Sequence, residues 1–344
     1  MKRYYYLLDG ARFFAAFWVM NFHYLFGNGP DTQLHWYRYG NLGVQVFFII
    51  SGFVIVQSLR GKSLKEFAVG RFVRLFPLFW VLCTLTYLLT VFFPDVRYIL
   101  NITDYMRSMT MLGDVFDGII GPATLVDPSY WTLTVELIFY IAIALYTSLF
   151  THGKIRYFLL AWLILSACAF ALHIDENFYV KLLLVRHAAY FIFGAALALL
   201  VGHEAHTKRE RALDWALLFM SAGYATYIHE RALPSYTAAN LADPSIITLL
   251  HVAFFLAVPA LVFLSRYVRH PRLIQCLAIA GGLTYPLYLL HQRIGNMLID
   301  MTTGNTTVSW FTIVLWFQVF MICLAYVSYV LDKKLRAWLL ERPV

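Results

Sequence analysis

Charged residues are scarce in this sequence. They make up 13% of its 344 residues, where soluble domains usually carry about 25%, and a chain so poor in charge cannot clothe a water-soluble surface. Cysteine offers no framework. Cys83, Cys168, Cys276 and Cys323 show no paired spacing and all fall inside apolar runs, so they read as small apolar packing residues. Metal-like spacing is confined to His203 and His206 in the charged stretch HEAHTKRER, where no further ligand stands nearby, and no metal centre is expected. No basic domain interleaved with aromatics lies outside the apolar runs, which removes nucleic acid as a partner. What the chain has in abundance is apolar surface: 61% of its residues are hydrophobic and 18% aromatic. The expected class is all-α, a polytopic integral membrane protein.

A membrane span needs about 20 apolar residues at about 1.5 Å each. Ten runs meet that requirement, at 7–27, 40–60, 75–94, 130–150, 156–173, 181–201, 212–229, 246–265, 273–299 and 308–331. The first carries charges and no small-residue cleavage site, so it is expected to be a retained helix and not a signal peptide. Lysine and arginine set the orientation. With the N-terminus inside, one set of connections holds 19 of the 27 basic residues, while the opposite set holds only Arg38, Arg97, Arg107, Lys181 and Arg231. The positive-inside rule therefore places both termini in the cytoplasm, as about ten transmembrane helices require, and topology alone accounts for the basic balance.

The stretch LDGARFFAAFWVMNFHYLF, Leu8 to Phe26, organises the rest. It is apolar enough to span, yet it carries Asp9, Arg12 and His23. Ionisable groups at membrane depth cost about 2.5–3.5 kcal/mol each on insertion scales, so they usually face a bundle interior or a wet cavity. Asp9 and Arg12, three apart, share a helix face, and His23 follows eleven residues later on that face. Asp9 and Arg12 as interfacial anchors, and His23 as a packing hydrogen bonder, are the structural alternatives.

Further along, Ser51-Gly52-Phe53 sit in the middle of the second run, where small residues either allow close helix packing or clear room for a ligand. Arg71 and Arg74 stand one turn apart just before Pro77, as topology signals or as a fork for a phosphorylated cofactor. The outer loop of about 95–129 is long, with Asp95, Asp104, Asp114, Asp117 and Asp127, and loops of that size tend to act as lids or binding surfaces. It leads into SYWTLTVELIFY, which drives Glu136 to a depth of about 10 Å, level with His23. The two could meet, and a carboxylate on one ring nitrogen, from Glu136 or another acid, would fix the tautomer of a general base at His23. Arg186 and His187 in the sixth run and His291 and Arg293 in the ninth also count into the outer half, with snorkelling to the surface as the alternative for the two arginines. Ionisable residues thus collect at two depths, as in a site that takes a group from one side and hands it to the other. A proton-coupled transporter shows the same pattern, although no inverted repeat relates the two halves.

Five segments, LLDGARFFAAFWVMNFH, FFIISGF, RFVRLFP, YWTLTVELIFY and TYPLYLLH, occur in this order across nearly the whole chain. Together they resemble the membrane acyltransferase 3 family of bacterial integral-membrane O-acyltransferases. The resemblance implies one transmembrane acyltransferase domain over 1–344 in the bacterial cytoplasmic membrane. It implies transfer of an acyl group, commonly acetyl from acetyl-CoA, to a hydroxyl of an extracytoplasmic glycan. By position in the motifs His23 corresponds to the catalytic histidine, with Glu136, Arg12 and Asp9 beside it. Arg71, Arg74 and Ser51 would serve the acyl-CoA, and Arg186, His291 and Tyr285 the carbohydrate acceptor. In that reading His23, oriented by Glu136, takes the hydroxyl proton and Arg12 polarises the thioester carbonyl. The chain departs from the usual LDGLRG by carrying Ala11 and Phe13, so a ring replaces a glycine beside Arg12.

Overall fold

The computed structural model describes residues 4–26, 35–59, 61–93, 99–115, 121–122, 124–149, 155–175, 177–202, 207–240, 242–303 and 308–341. His203, His206, Asp95, Arg97 and Asp117 lie outside them. The described residues are helical or in turns, without strands. The helices are α1 (Tyr6–Asn21), α2 (Gly43–Leu59), α3 (Leu64–Phe92), α4 (Ile102–Ser108), α5 (Trp131–Leu149), α6 (Ile155–Ala171), α7 (Phe178–Lys181), α8 (Ala188–Val201), α9 (Lys208–Asn240), α10 (Pro244–Leu264), α11 (Pro271–Thr303) and α12 (Trp310–Glu341). Each of the ten apolar runs is occupied by a helix. Six of the helical segments, Trp36–Leu59, Leu64–Phe92, Pro128–Leu149, Pro244–Leu264, Pro271–Thr303 and Trp310–Leu339, are long and apolar enough to cross a membrane, while α6 and α8 are shorter apolar helices. The chain is a multi-pass membrane protein.

One boundary differs from expectation. The third apolar run starts at 75, but α3 begins at Leu64 and passes through Pro77 without interruption. Proline removes one backbone donor and crowds the carbonyl four residues back, yet helices in a membrane tolerate it because neighbouring groups take up the freed positions. Arg71 and Arg74 therefore lie on a helix, one turn apart.

The chain divides into two compact units, residues 1–43, 69–134 and 267–344 in the first, and 44–68 and 135–266 in the second. In the first, α1 and α11 run side by side in the same direction. A Cβ on Gly10 would meet Leu277 at 2.7 Å, one on Gly281 would meet Asp9 at 2.6 Å, and one on Gly295 would lie 1.8 Å from the Tyr24 hydroxyl. Small residues at these levels let the helices approach closely. Helix α12 runs the opposite way. Gln318 donates to Asn21 at 3.0 Å near one end, and Arg336 donates to the Arg74 carbonyl at 3.0 Å near the other. Helix α3 is parallel to α11, with the Leu75 carbonyl accepting from Tyr285 at 2.9 Å and Phe79, a turn further, against the ring of Tyr130 at 5.0 Å.

In the second unit Gly52 and Gly194 bring α2 and α8 into backbone contact. A Cβ on Gly52 would fall 2.0 Å from the Phe191 carbonyl and one on Gly194 1.9 Å from that of Ile49. Phe48 and Phe139 stack on the buried ring of Phe191 at 4.8 and 4.3 Å. Of the two readings of Ser51-Gly52-Phe53, close packing is the one Gly52 fulfils.

Candidate active site

After Asn21 the helix of α1 widens into a π turn, Phe22–Phe26. Such turns interrupt the regular ladder and are frequent at functional sites. His23 projects from this turn towards α11, where its ring centroid lies 5.3 Å from that of His291 at a 43° tilt. His291 is fully buried. Its Nδ1 lies 2.8 Å from the Tyr288 carbonyl. A carbonyl only accepts, so Nδ1 carries the proton and Nε2 keeps its lone pair in the neutral ring. That Nε2 is buried with no hydrogen-bond partner. Tyr24, the residue after His23, donates to the His291 carbonyl at 2.7 Å, so the two histidine-bearing segments are pinned together at the pair itself.

Asp127, which sequence reasoning counted only as one acidic loop residue, braces the pair. It is fully buried. Its Oδ1 accepts from the Ser129 backbone at 2.9 Å and hydroxyl at 2.7 Å, and its Oδ2 accepts from the backbone N–H of Arg293 at 2.8 Å. The Arg293 side chain donates to the carbonyls of Val126 and Leu125 at 2.9 and 3.1 Å. Tyr130 donates to Leu289 at 3.2 Å. The peptide N–H of 293 and the carbonyl of 289, which pair across one helical turn, thus each find a partner in the 125–130 segment. Arg293 is buried and does not snorkel. Asp127 also lies within electrostatic reach of His291. Its signal in the sequence was Asp-Pro-Ser-Tyr, an N-cap residue before proline, and the acid does cap the turn Pro128–Tyr130.

The other end of the same unit is a charged cluster. Tyr4 hydrogen-bonds the Asp9 carboxylate, and both Arg12 and Arg74 lie within electrostatic reach of it. Arg74 is also within reach of Asp332, which pairs with Arg336 one turn on. Arg71 stands half-buried on α3 beside Arg74. Arg12 and His23 are eleven residues apart, about 16 Å along α1 at 1.5 Å per residue. The arginine cluster and the His23–His291 pair therefore stand at opposite ends of the first unit. Tyr285 belongs between them, its hydroxyl on the Leu75 carbonyl.

The remaining predicted residues belong to the second unit. The Glu136 carboxylate accepts from the hydroxyls of Ser51 and Tyr140, so Ser51 is engaged with an acid of its own unit. Arg186 is half-exposed and paired with Asp175 at 2.9 Å. Within its own unit His23 meets the rings of Phe22 at 5.2 Å and His291 at 5.3 Å. Among the described residues no group of three or more potential metal ligands converges.

A family model described as an acyltransferase domain matches residues 5–330. The chain is similar to nodulation protein 10 of Rhizobium leguminosarum bv. viciae, with 28% identity over 278 residues, which are 75% of this chain and 72% of the relative. It is also similar to the peptidoglycan O-acetyltransferase OatA of Listeria monocytogenes, with 31% identity over 97 residues, 26% of this chain and 14% of that protein. No solved structure matches.

Proposed function

The chain belongs to the acyltransferase-domain family, and from that premise we propose that it moves an acyl group from cytoplasmic acyl-CoA to a hydroxyl of an extracytoplasmic glycan. It is an acyl-transferring enzyme of the membrane; donor, direction and acceptor are the proposal. Acetyl is the group we assign, because the Listeria relative is named an O-acetyltransferase and acts on a glycan. We place the protein in the bacterial cytoplasmic membrane with ten spans and both termini inside. The basic-residue bias supports that orientation, and the parallel course of α1, α3 and α11 with the opposite course of α12 is consistent with alternating crossings.

The observation that carries the reading is the His23–His291 pair at 5.3 Å, three helical turns from a cluster of arginines in the same unit. His23 acts as general base. It accepts the proton of the acceptor hydroxyl as that oxygen attacks the thioester carbonyl. The tetrahedral intermediate then collapses, the carbon–sulfur bond breaks, and the proton passes to the departing thiolate of CoA. His291 orients His23. Its Nδ1–H is committed to Tyr288, so its free Nε2 is the atom that can hold a proton-bearing partner in the site.

Arg71 and Arg74 receive the phosphates of CoA, since guanidinium forks match phosphate oxygens in pairs. Arg12, at the same level as Arg74, belongs with them. About 16 Å from His23, it assists the donor's anionic part and not the thioester carbonyl. An extended pantetheine arm has the length to bridge that interval. The test is direct. Purified protein in lipid nanodiscs should bind CoA and, given acetyl-CoA and oligosaccharides released from the envelope of cells lacking the chain, should yield O-acetylated sugars detectable by mass spectrometry. Protein that neither binds CoA nor consumes acetyl-CoA would overturn the proposal.

A further inference from the structure

Beyond His291 the last third of α11 presents one polar face. Gln292, Asn296, Asp300 and Thr303 follow one another at helical spacing and fall within roughly 80° of the helix circumference. All four are half-buried, while Arg293, Ile294, Gly295, Met297 and Ile299 between them are buried. The helix has 33 residues, about 50 Å, against a hydrocarbon core of about 30 Å. This face starts beside the histidine pair and runs to the end of the helix remote from the arginines.

Two of these side chains are unsatisfied. Gln292 Oε1 and Asn296 Oδ1 are both buried atoms without a hydrogen-bond partner. A buried acceptor left unpaired is costly, and a helix needs neither residue for its own formation, since both are no better than average helix formers in an apolar neighbourhood. Side chains four apart on a helix are neighbours, with Cβ atoms about 5–6 Å apart. Each amide can both donate and accept. A pair so spaced suits a ligand with neighbouring hydroxyls, which likewise donate and accept. An anion suits it poorly, because the open atoms are acceptors and Asp300 follows on the same face. An acyl chain offers them nothing.

We propose that the Gln292–Asn296–Asp300–Thr303 face of α11 is the acceptor track, binding a neutral carbohydrate and leading one of its hydroxyls to the His23–His291 pair. The inference rests on the acyl-transfer reading and adds the acceptor's chemical class and its seat. The open amide oxygens accept from sugar hydroxyls, and the amide N–H groups donate to hydroxyl oxygens further along the ligand.

The experiment uses the full-length protein in nanodiscs with acetyl-CoA as donor and the envelope oligosaccharides above, fractionated into neutral and anionic pools. Gln292→Leu and Asn296→Leu should each raise the acceptor KM about tenfold or more, with the donor KM unmoved. Gln292→Glu, which keeps an acceptor oxygen, should lie between wild type and Leu. Neutral oligosaccharides should be used in preference to anionic ones. Wild-type acceptor KM values in both leucine variants would overturn the inference while leaving the acyl-transfer reading intact, as would preferential use of the anionic pool. Equal rises in donor and acceptor KM would also overturn it, since they report a general disturbance of the unit. If the wild-type protein transfers acetyl to neither pool, the underlying reading fails and the inference with it.

Discussion

Tyr24 lies against Gly295 with no room to spare: a Cβ at 295 would stand 1.8 Å from its hydroxyl oxygen and 2.3 Å from its ring carbon Cζ. That contact is what lets Tyr24 reach the His291 carbonyl at 2.7 Å and so holds His23, its neighbour in sequence, against His291.

Gly295→Ala should therefore damage turnover more than it damages the fold. Overpacking of this kind costs typically about 1–3 kcal/mol, relieved by moving Tyr24 and with it the π turn. We expect kcat to fall about tenfold or more while CoA affinity, which the proposed donor site sets at the opposite end of the unit, stays at the wild-type value. Tyr24→Phe, which removes one hydrogen bond worth about 0.5–1.5 kcal/mol, should be milder. Steady-state kinetics with calorimetric CoA binding on the same preparations decides this, and a Gly295→Ala protein with wild-type kcat would show that the contact does not position the pair.

The donor end is tested at Arg71 and Arg74. Replacement of either by alanine should weaken donor use, each lost charge-assisted contact being worth about 1.5–3 kcal/mol. Lysine should restore only part of it, because an ammonium cannot reproduce the two-pronged fork. Arg336→Ala, which removes the donor on the Arg74 carbonyl, should raise the donor KM less than Arg74→Ala. Normal acylation at limiting acetyl-CoA by both Arg71→Ala and Arg74→Ala would return these arginines to the role of topology signals.

The all-helical, membrane-spanning character of the chain was legible before any coordinates. The ten apolar runs announced ten helices, since composition and length suffice to mark a buried or membrane helix. The spacing of Asp9, Arg12 and His23 correctly set them along one helix. What could not be read was the pairing across helices. Glu136 and His23 count to similar depths but fall in different units, and within its own unit each finds partners that no spacing announces, Ser51 and Tyr140 for Glu136 and His291 for His23. For Arg293 the sequence left a site role and snorkelling open, because its targets are the backbone carbonyls of Leu125 and Val126, which carry no sequence signature.

Topology is open to cysteine labelling on a background lacking the four native cysteines. Reagents that do not cross the membrane should label the 101–115 segment from outside and residues 207–211 only after permeabilisation. The reverse pattern would place the arginine cluster outside, away from cytoplasmic CoA, and would overturn the direction of transfer.

The decisive residue is His23. A general base contributes about 10²–10⁴-fold, so His23→Ala should abolish detectable glycan acylation while CoA binding and membrane insertion persist. His23→Gln keeps hydrogen bonding but cannot accept and hold a proton, and it should be as inactive as Ala. A histidine there for packing would tolerate glutamine far better. His291→Gln should behave differently from His23→Gln. In the proposed mechanism His291 orients the base without taking the substrate's proton, so this variant should lower kcat and leave residual turnover. Glu136→Gln, which can still accept from Ser51 and Tyr140, should also lower kcat if its charge supports the reaction. Full activity of His23→Gln at matched protein levels would move the base to His291 and reverse the roles of the two rings.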